Sequence, residues 1–292
     1  MRALYKGVLL VLLLAETGFI SNAAAQSLFA AVLPASRSVQ LGAIPATACF
    51  VTIINTGTDT ATQCGIDLVT QIPATLDFQT TDPSTNQLTG TLSTRVDIPA
   101  GGLQTFAMFF TATAAFLPTD IEFAFDCQNV GPADTLADIN TMQLSMLDQP
   151  VPDIVAFPAT PNNNGIIDIP GTAGTAVFAA ATINVGEPAE IVVTAEAGGQ
   201  DLPVRVSLCQ TDPATAACIN PTTPTTEPVV VTIATDATPT FSVFVQGSGW
   251  IADDPAKNRV FLRFASEVSV NGSLERITSA LTSVAVRSAD EM

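Results

Sequence analysis

One stretch of this chain, residues 47–57, returns further along as residues 175–186. The first copy reads TACFVTIINTG and the second TAVFAAATINVG, so both are apolar runs of strand type that close on an Asn-x-Gly turn. Three further pairs of segments match in the same order: 80–85 with 210–215, 105–109 with 240–244, and 123–125 with 262–264. Collinear matches predict a tandem duplication with loop insertions; chance similarity between strands rich in Thr and Ala is the alternative.

The sequence favours strands over helices along its whole length. Its apolar share of 47% is carried largely by Ala, Val and Ile, and only 13% of its residues are charged. Branched side chains pack well on pleated strands, while Pro, Thr and Gly interrupt every window long enough for a helix. In the first copy we predict a linker-like start at 26–36 and strands at 38–44, 47–55, 63–69, 75–80, 95–98, 103–113, 121–127 and 141–147.

About eight short strands separated by regularly spaced turns are typical of an immunoglobulin-like sandwich. Pro150 and Pro152 restrict the backbone to extended shapes and predict a hinge at 150–152. The predicted fold is therefore all-β, with two tandem immunoglobulin-like β-sandwich domains, residues 26–149 and 153–292, after a cleaved signal peptide.

The N-terminal residues 1–25 have the composition of an export signal. Arg2 and Lys6 precede the apolar run 7–15, and small residues at 23–25 suit a signal peptidase. We predict cleavage between Ala25 and Gln26, which leaves no integral membrane segment in an exported protein. An uncleaved membrane anchor is the alternative, and Glu16 just past the apolar run counts against it.

The chain is strongly acidic, with a formal net charge of −17. This charge excludes nucleic acid as an expected partner, because a phosphate backbone is bound by clustered Lys and Arg. It favours solubility and resistance to self-association. Cation binding is the other interpretation.

The five cysteines indicate an oxidising compartment. Cys209 and Cys218 flank a short loop and are predicted to form a disulfide. In the first copy, Cys49 aligns with Val177, a core-type position, and is therefore predicted to be a buried free thiol. Cys64 and Cys127 are then left as the favoured pair, with Cys49–Cys64 and Cys49–Cys127 as alternatives.

The sequence contains no histidine, which excludes Ser-His-Asp and Cys-His nucleophile activation and most catalytic zinc sites. Paired carboxylates such as Asp253 and Asp254 are the remaining enzymatic possibility, by glycoside hydrolysis. The aromatic platforms that usually hold sugars are scarce, because Trp250 is the single tryptophan and is predicted to be a core plug. We therefore predict a protein that is not an enzyme and has no organic cofactor.

Calcium is the one ion that the sequence suggests, and only weakly. Asn162 and Asn164, followed by Asp168, offer oxygen ligands, and so do Asp253 and Asp254 together with Asn258. Neither group has EF-hand spacing. Asn-Gly and Asp-Asp-Pro are equally ordinary turns.

The first copy resembles a known group of modules. Residues 53–61 read IINTGTDTA, Cys64 follows, and residues 99–106 read PAGGLQTF. This is similar to the N-x-G-x-x-x-A and P-x-G-x-x-x-x-F pattern of bacterial exported immunoglobulin-like modules, of which the cell-adhesion-related CARDB repeats are an example. The resemblance implies a fold and a surface or secreted setting and carries over no catalytic or ligand residues. The second copy departs from the pattern, with Val185 after its Asn and no Pro-x-Gly before Thr240.

These observations predict an exported, non-catalytic structural or adhesive protein of the bacterial cell surface or extracellular space. Its partner would be a protein or a glycan at the cell exterior. A carbohydrate- or calcium-dependent binding protein is one alternative. A periplasmic assembly factor that pairs edge strands is the other.

Overall fold

A computed structural model describes residues 27–42, 47–198, 201–270 and 273–289. The predicted signal peptide and its cleavage site at Ala25/Gln26 lie outside the described residues. Within them the chain forms strands and turns and no helix, which confirms the all-β prediction.

The first half of the chain holds ten strands. They are β1 (Leu28–Leu33), β2 (Ser36–Gln40), β3 (Thr47–Asn55), β4 (Ala61–Leu68), β5 (Ala74–Thr81), β6 (Val96–Ile98), β7 (Leu103–Ala112), β8 (Phe116–Ile121), β9 (Phe123–Asp126) and β10 (Met142–Leu147).

The second half also holds ten. They are β11 (Ile154–Ala159), β12 (Ile166–Pro170), β13 (Thr175–Asn184), β14 (Ala189–Ala197), β15 (Val204–Thr211), β16 (Cys218–Thr225), β17 (Val229–Ile233), β18 (Thr240–Gly247), β19 (Arg259–Val270) and β20 (Ser273–Ala289).

The strand order of the first half recurs in the second. One sheet runs β1-β3-β7-β5 in the first half and β11-β13-β18-β15-β16 in the second. The facing strands run β2-β10-β8 and β6-β4-β9 in the first half, and β12-β20-β19-β14-β17 in the second. Because Glu122 alone separates β8 from β9, the two together take the place of β19. The second half adds one strand, β16.

The linker predicted at 26–36 is wrong, because β1 lies within it and pairs with β3 along its length. Its side chains alternate, with Leu28, Ala30 and Val32 buried and the residues between them exposed. The Ala-rich run has weak strand propensity of its own, and pairing with the neighbouring strand supplies what propensity lacks.

The sequence alignment of Cys49 with Val177 is also wrong, by one residue. β7 pairs Thr105 with Thr52, whereas β18 pairs the equivalent Thr240 with Ala181. Cys49 is therefore equivalent to the residue after Val177, which is buried, whereas Val177 itself is 37% exposed. A slip of one residue along a strand moves every side chain to the opposite face, so Val177 was assigned to the core although it faces outward. Cys49 itself is buried, as predicted.

Two separate core clusters fill the space between the facing sheets, one in each half. Phe78 and Phe106 pack edge to face in the first, with ring centroids 5.9 Å apart. Phe241 and Phe264 do so in the second, at 5.5 Å. Edge-to-face packing adds stability beyond the burial of area.

A polar feature is repeated along with the strands. Asn55 and Asn184 are fully buried at the ends of β3 and β13. In each, Nδ2 donates to the last carbonyl of β6 or β17, at 3.1 and 3.2 Å. In each, Oδ1 accepts from the glycine amide two residues on, at 2.9 and 3.0 Å. These side chains tie a turn of one sheet to an edge strand of the other.

The matched segments at 80–85 and 210–215 form the same turn. Asp82 and Asp212 each accept hydrogen bonds through Oδ1 from two backbone amides and from a Thr hydroxyl, that of Thr85 or Thr215. Backbone hydrogen bonds, foremost that of Ser84 for Asp82 and that of Thr215 for Asp212, hold the pKa of both carboxyls below its ordinary value.

The segment predicted as a hinge is packed between the halves. Val151 is 4% exposed and lies in a small apolar cluster with Leu147, Val268 and Ile277. The Oγ of Ser36 in β2 accepts a 2.8 Å hydrogen bond from the Leu281 amide in β20. Val151 and Pro152 are thus buried where the halves meet, and Pro150 is exposed.

Candidate interaction surface

Two of the predicted calcium ligands converge on a basic side chain of the chain itself. Arg287 in β20 donates through Nε to Asp168 and through Nη1 to Asp253, both at 2.7 Å. These hydrogen bonds, that to Asp168 first, raise the pKa of Arg287. A guanidinium therefore occupies the position that a cation would take between these carboxylates.

The other predicted ligands are dispersed. Asp254 forms an ion pair with Lys257 at 3.2 Å, and Asn258 donates through Nδ2 to the Ala252 carbonyl. Asn164 accepts through Oδ1 from the amide two residues on. Asn162 lies in the wall of a cleft of about 1070 Å³ that also contains Asp168 and Arg287. In the described part of the chain, no three His, Cys, Asp or Glu side chains are grouped so that they could hold a metal.

The cysteines lie in the cores and at a hairpin. Cys64 is bonded to Cys127, and Cys209 to Cys218, and these are the pairs that the sequence favours. Cys49 is a free thiol with no exposed surface. Burial raises its pKa to about 12, which leaves it protonated and unreactive in the folded protein.

The outer face of the sheet β1-β3-β7 carries exposed large apolar side chains. We call this set the apolar face; its members are Phe29, Leu33, Phe50, Ile54 and Leu103, each between 39% and 51% exposed. Phe29 lies opposite Ile54, which lies opposite Leu103, and Leu33 lies opposite Phe50. Directly opposed side chains on one face of a sheet touch, so the apolar face consists of one row of three side chains and one row of two. The row of Ala31, Thr52 and Thr105 lies between them.

The apolar face continues into a groove of about 780 Å³ between the halves. Phe29 and Leu33 line it on one side, and Pro158 and Ile166 line it on the other. Asp138 and Arg259 also lie in the groove. Burial raises the pKa of Asp138 and lowers that of Arg259, so the groove disfavours both charged forms.

This surface is not predicted from the sequence, because the whole of β1 falls in the linker predicted at 26–36. The signal was the alternation within residues 28–33, where Phe29 and Leu33 occupy the positions that face away from the core. The structure also corrects the prediction for Trp250, which is 57% exposed and therefore is not a core plug.

The apolar face and the groove beside it are suited to non-covalent binding of a partner. Exposed apolar patches on monomeric proteins mark interaction sites, because burying them against a partner releases their hydration water. Among the residues that the structure describes, none form a helix long and apolar enough to cross a membrane.

The sequence matches no protein-family model and no curated protein. Among solved structures, the N-terminal domain of PorA is 13% identical, with a TM-score of 0.26, over 47% of this chain and 99% of that domain. The secreted serine protease VesC from Vibrio cholerae is 9% identical, with a TM-score of 0.24, over 77% of this chain and 47% of the protease. Both scores are too low to carry an argument about fold or function.

Proposed function

We propose that this chain is an exported, non-catalytic structural or adhesive protein that binds another protein outside the cell through the apolar face. The observation that carries the proposal is the row of exposed Phe29, Ile54 and Leu103 across three strands of an uncovered sheet face. Leu33 and Phe50 add a second exposed apolar pair further along the same strands. Such a surface is costly to leave in water and is typical of an interface.

Two tandem immunoglobulin-like β-sandwich domains are the proposed architecture. The repeated strand order, the separate cores and the duplicated Asn contacts support two copies of one module. The order β1-β3-β7-β5 is the one that the first, second, fifth and fourth strands take in an immunoglobulin sheet. The resemblance of residues 53–61 and 99–106 to CARDB-like modules supports the same architecture.

Export is supported by the composition of residues 1–25 and by the two disulfides, since disulfides persist in oxidising compartments. The net charge of −17 opposes close approach of a second copy. The partner we propose is therefore a different protein, with an apolar centre to its surface and a basic rim.

Cell fractionation tests the proposal. In the source cells, the wild-type protein should begin at or near Gln26 and sediment with the cell envelope. The double variant Phe50→Ser with Leu103→Ser should be exported and folded but should be recovered in the medium. Val230→Ser is the matched control, because Val230 is 49% exposed on the facing sheet, outside the apolar face.

Each part of the proposal can fail separately. Wild-type protein that retains Met1 in the cytoplasm contradicts export. Wild-type protein found free in the medium contradicts adhesion. A double variant that sediments as the wild type does would show that the apolar face is not the docking surface.

A further inference from the structure

Arg205 in β15 is the one basic residue in the described ranges that has no hydrogen bond or ion pair. Six of the other seven form ion pairs with carboxylates, and Arg259 donates to the Ser283 hydroxyl and the Pro255 carbonyl. The chain has 27 acidic residues against 10 basic ones, so internal partners are plentiful. An arginine without a partner in such a chain is available to a ligand.

Arg205 is exposed and lines a small pocket of about 240 Å³. Strand pairing places Thr175, Gln246 and Arg205 opposite one another across β13, β18 and β15. The next row on the same face holds Phe244 and Ser207, which also oppose each other. Pro224 and Thr226, from β16 and the residue after it, close one side of the pocket.

The lining has the chemistry of an acidic sugar site. A guanidinium presents a planar fork of donors that matches a carboxylate in two parallel hydrogen bonds. The amide of Gln246 and the hydroxyls of Ser207 and Thr226 can each donate and accept, as sugar hydroxyls require. Phe244 is half-buried in the lining, and an aromatic ring is a surface against which the C–H groups of a sugar can pack. A volume below the roughly 300 Å³ at which drug-sized sites begin suits one monosaccharide unit.

The residues that line this pocket are not repeated in the first half. At the matching positions of its sheet, Thr75 opposes Thr111, and Asp77 opposes Phe109. Asp77 thus takes the position of Ser207, and its carboxylate would repel an acidic ligand. Thr75, which is neutral, takes the position of Arg205. The strand that walls the pocket, β16, is also the one that the second half adds. Both the residues that line the pocket and the strand β16 therefore distinguish the second copy from the first.

We propose that this pocket binds the carboxylate-bearing unit of an acidic glycan, a hexuronate, with Arg205 as the residue that holds the carboxylate. The site lies on the second half, away from the apolar face, and stands whether or not the proposed protein docking is correct.

The test is a titration of the whole nitrogen-labelled protein with sodium glucuronate, followed by NMR. Glucose and sodium acetate are titrated in parallel, because one lacks the carboxylate and the other lacks the sugar. We expect glucuronate to bind in the millimolar range and to shift the side-chain resonances of Arg205 and Gln246. Arg205→Gln should weaken binding at least about tenfold, since a hydrogen bond to a charged group is lost. Arg276→Gln is the matched control, because it removes the same charge from β20.

Binding of glucuronate that exceeds that of both glucose and acetate and falls in Arg205→Gln supports the proposal. No binding of glucuronate overturns it. Equal binding of glucose overturns the role of the carboxylate, and equal binding of acetate overturns the role of the sugar. Binding that Arg205→Gln leaves unchanged, or that Arg276→Gln lowers equally, places the ligand elsewhere and overturns the assignment.

Discussion

Arg37 in β2 and Asp153 just before β11 form an ion pair across the two halves, with Nη2 and Oδ2 2.7 Å apart. The two side chains are only 15% and 5% exposed. Asp153 also accepts from the amide of Ser38, and its own amide donates to Asn184 Oδ1. Asp153 thus joins the two halves, because its carboxylate binds β2 and its backbone amide binds the buried Asn184.

Replacing Asp153 by Asn should lower the free energy of unfolding by about 3 kcal/mol, because a nearly buried guanidinium would lose its countercharge. Urea unfolding measures the loss. Glu267→Gln is the control, since the Arg276–Glu267 pair is 57% exposed on both sides and its removal should cost less than about 1 kcal/mol. Equal losses in the two variants would mean that the buried pair has no special part in joining the halves.

The buried Asn55 and Asn184 make matching hydrogen bonds and should therefore contribute equally to the free energy of unfolding. Asn55→Ala and Asn184→Ala should each destabilise the protein by about 3 kcal/mol, because buried backbone groups lose their partners. Chemical denaturation of the two variants checks this. Asn220→Ala, which removes a single bond from an exposed side chain, should change stability by less than about 1 kcal/mol. A loss at only one of the two buried positions would argue against equivalent roles.

The buried thiol of Cys49 predicts a loss of stability in alkaline solution. Burial raises the pKa of Cys49 from 9.0 to about 12, so above pH 9.0 the unfolded chain loses this proton while the folded chain keeps it. The folded state then binds more protons, and stability falls as pH rises. Stability measured at neutral pH and above pH 9.0 should therefore decline more steeply in the wild type than in Cys49→Ala. Parallel pH profiles would refute the burial of the thiol.

The two disulfides should differ in how much they contribute to the free energy of unfolding. They separate their cysteines by 63 and 9 positions, and a longer closed loop removes more entropy from the unfolded chain. The variant Cys64→Ala with Cys127→Ala should lose about 4 kcal/mol, and Cys209→Ala with Cys218→Ala about 3 kcal/mol. Thermal or urea unfolding of the oxidised proteins measures both. A larger loss for the Cys209–Cys218 pair would contradict this ranking.

Local patterns were enough to place most strands. The strand predicted at 47–55 has the same bounds as β3, and the strand predicted at 121–127 contains β9 with its buried Phe123 and Phe125. These features depend on the period of two of a strand and on turn-forming residues, which are properties of a few neighbouring positions.

Local sequence patterns do not predict the candidate sites, because these sites join residues that are far apart in the chain. Asp168 and Arg287 are 119 positions apart, and nothing near either residue indicates that they meet. Likewise, the pairing of β1 with β3 decided that Phe29 lies beside Ile54 on an uncovered face. Even the register of Cys49 depended on how β3 pairs with β7.

The sequence by itself determined that this chain is built of strands, that its halves share a recurring pattern, and that histidine chemistry is absent. Only the tertiary structure decided which carboxylates are neutralised, which apolar side chains stay exposed, and that Arg205 has no partner among the residues that the structure describes. The physical reason is that strand propensity is set by adjacent residues, whereas charge pairing and burial are set by which distant strands become neighbours in a sheet.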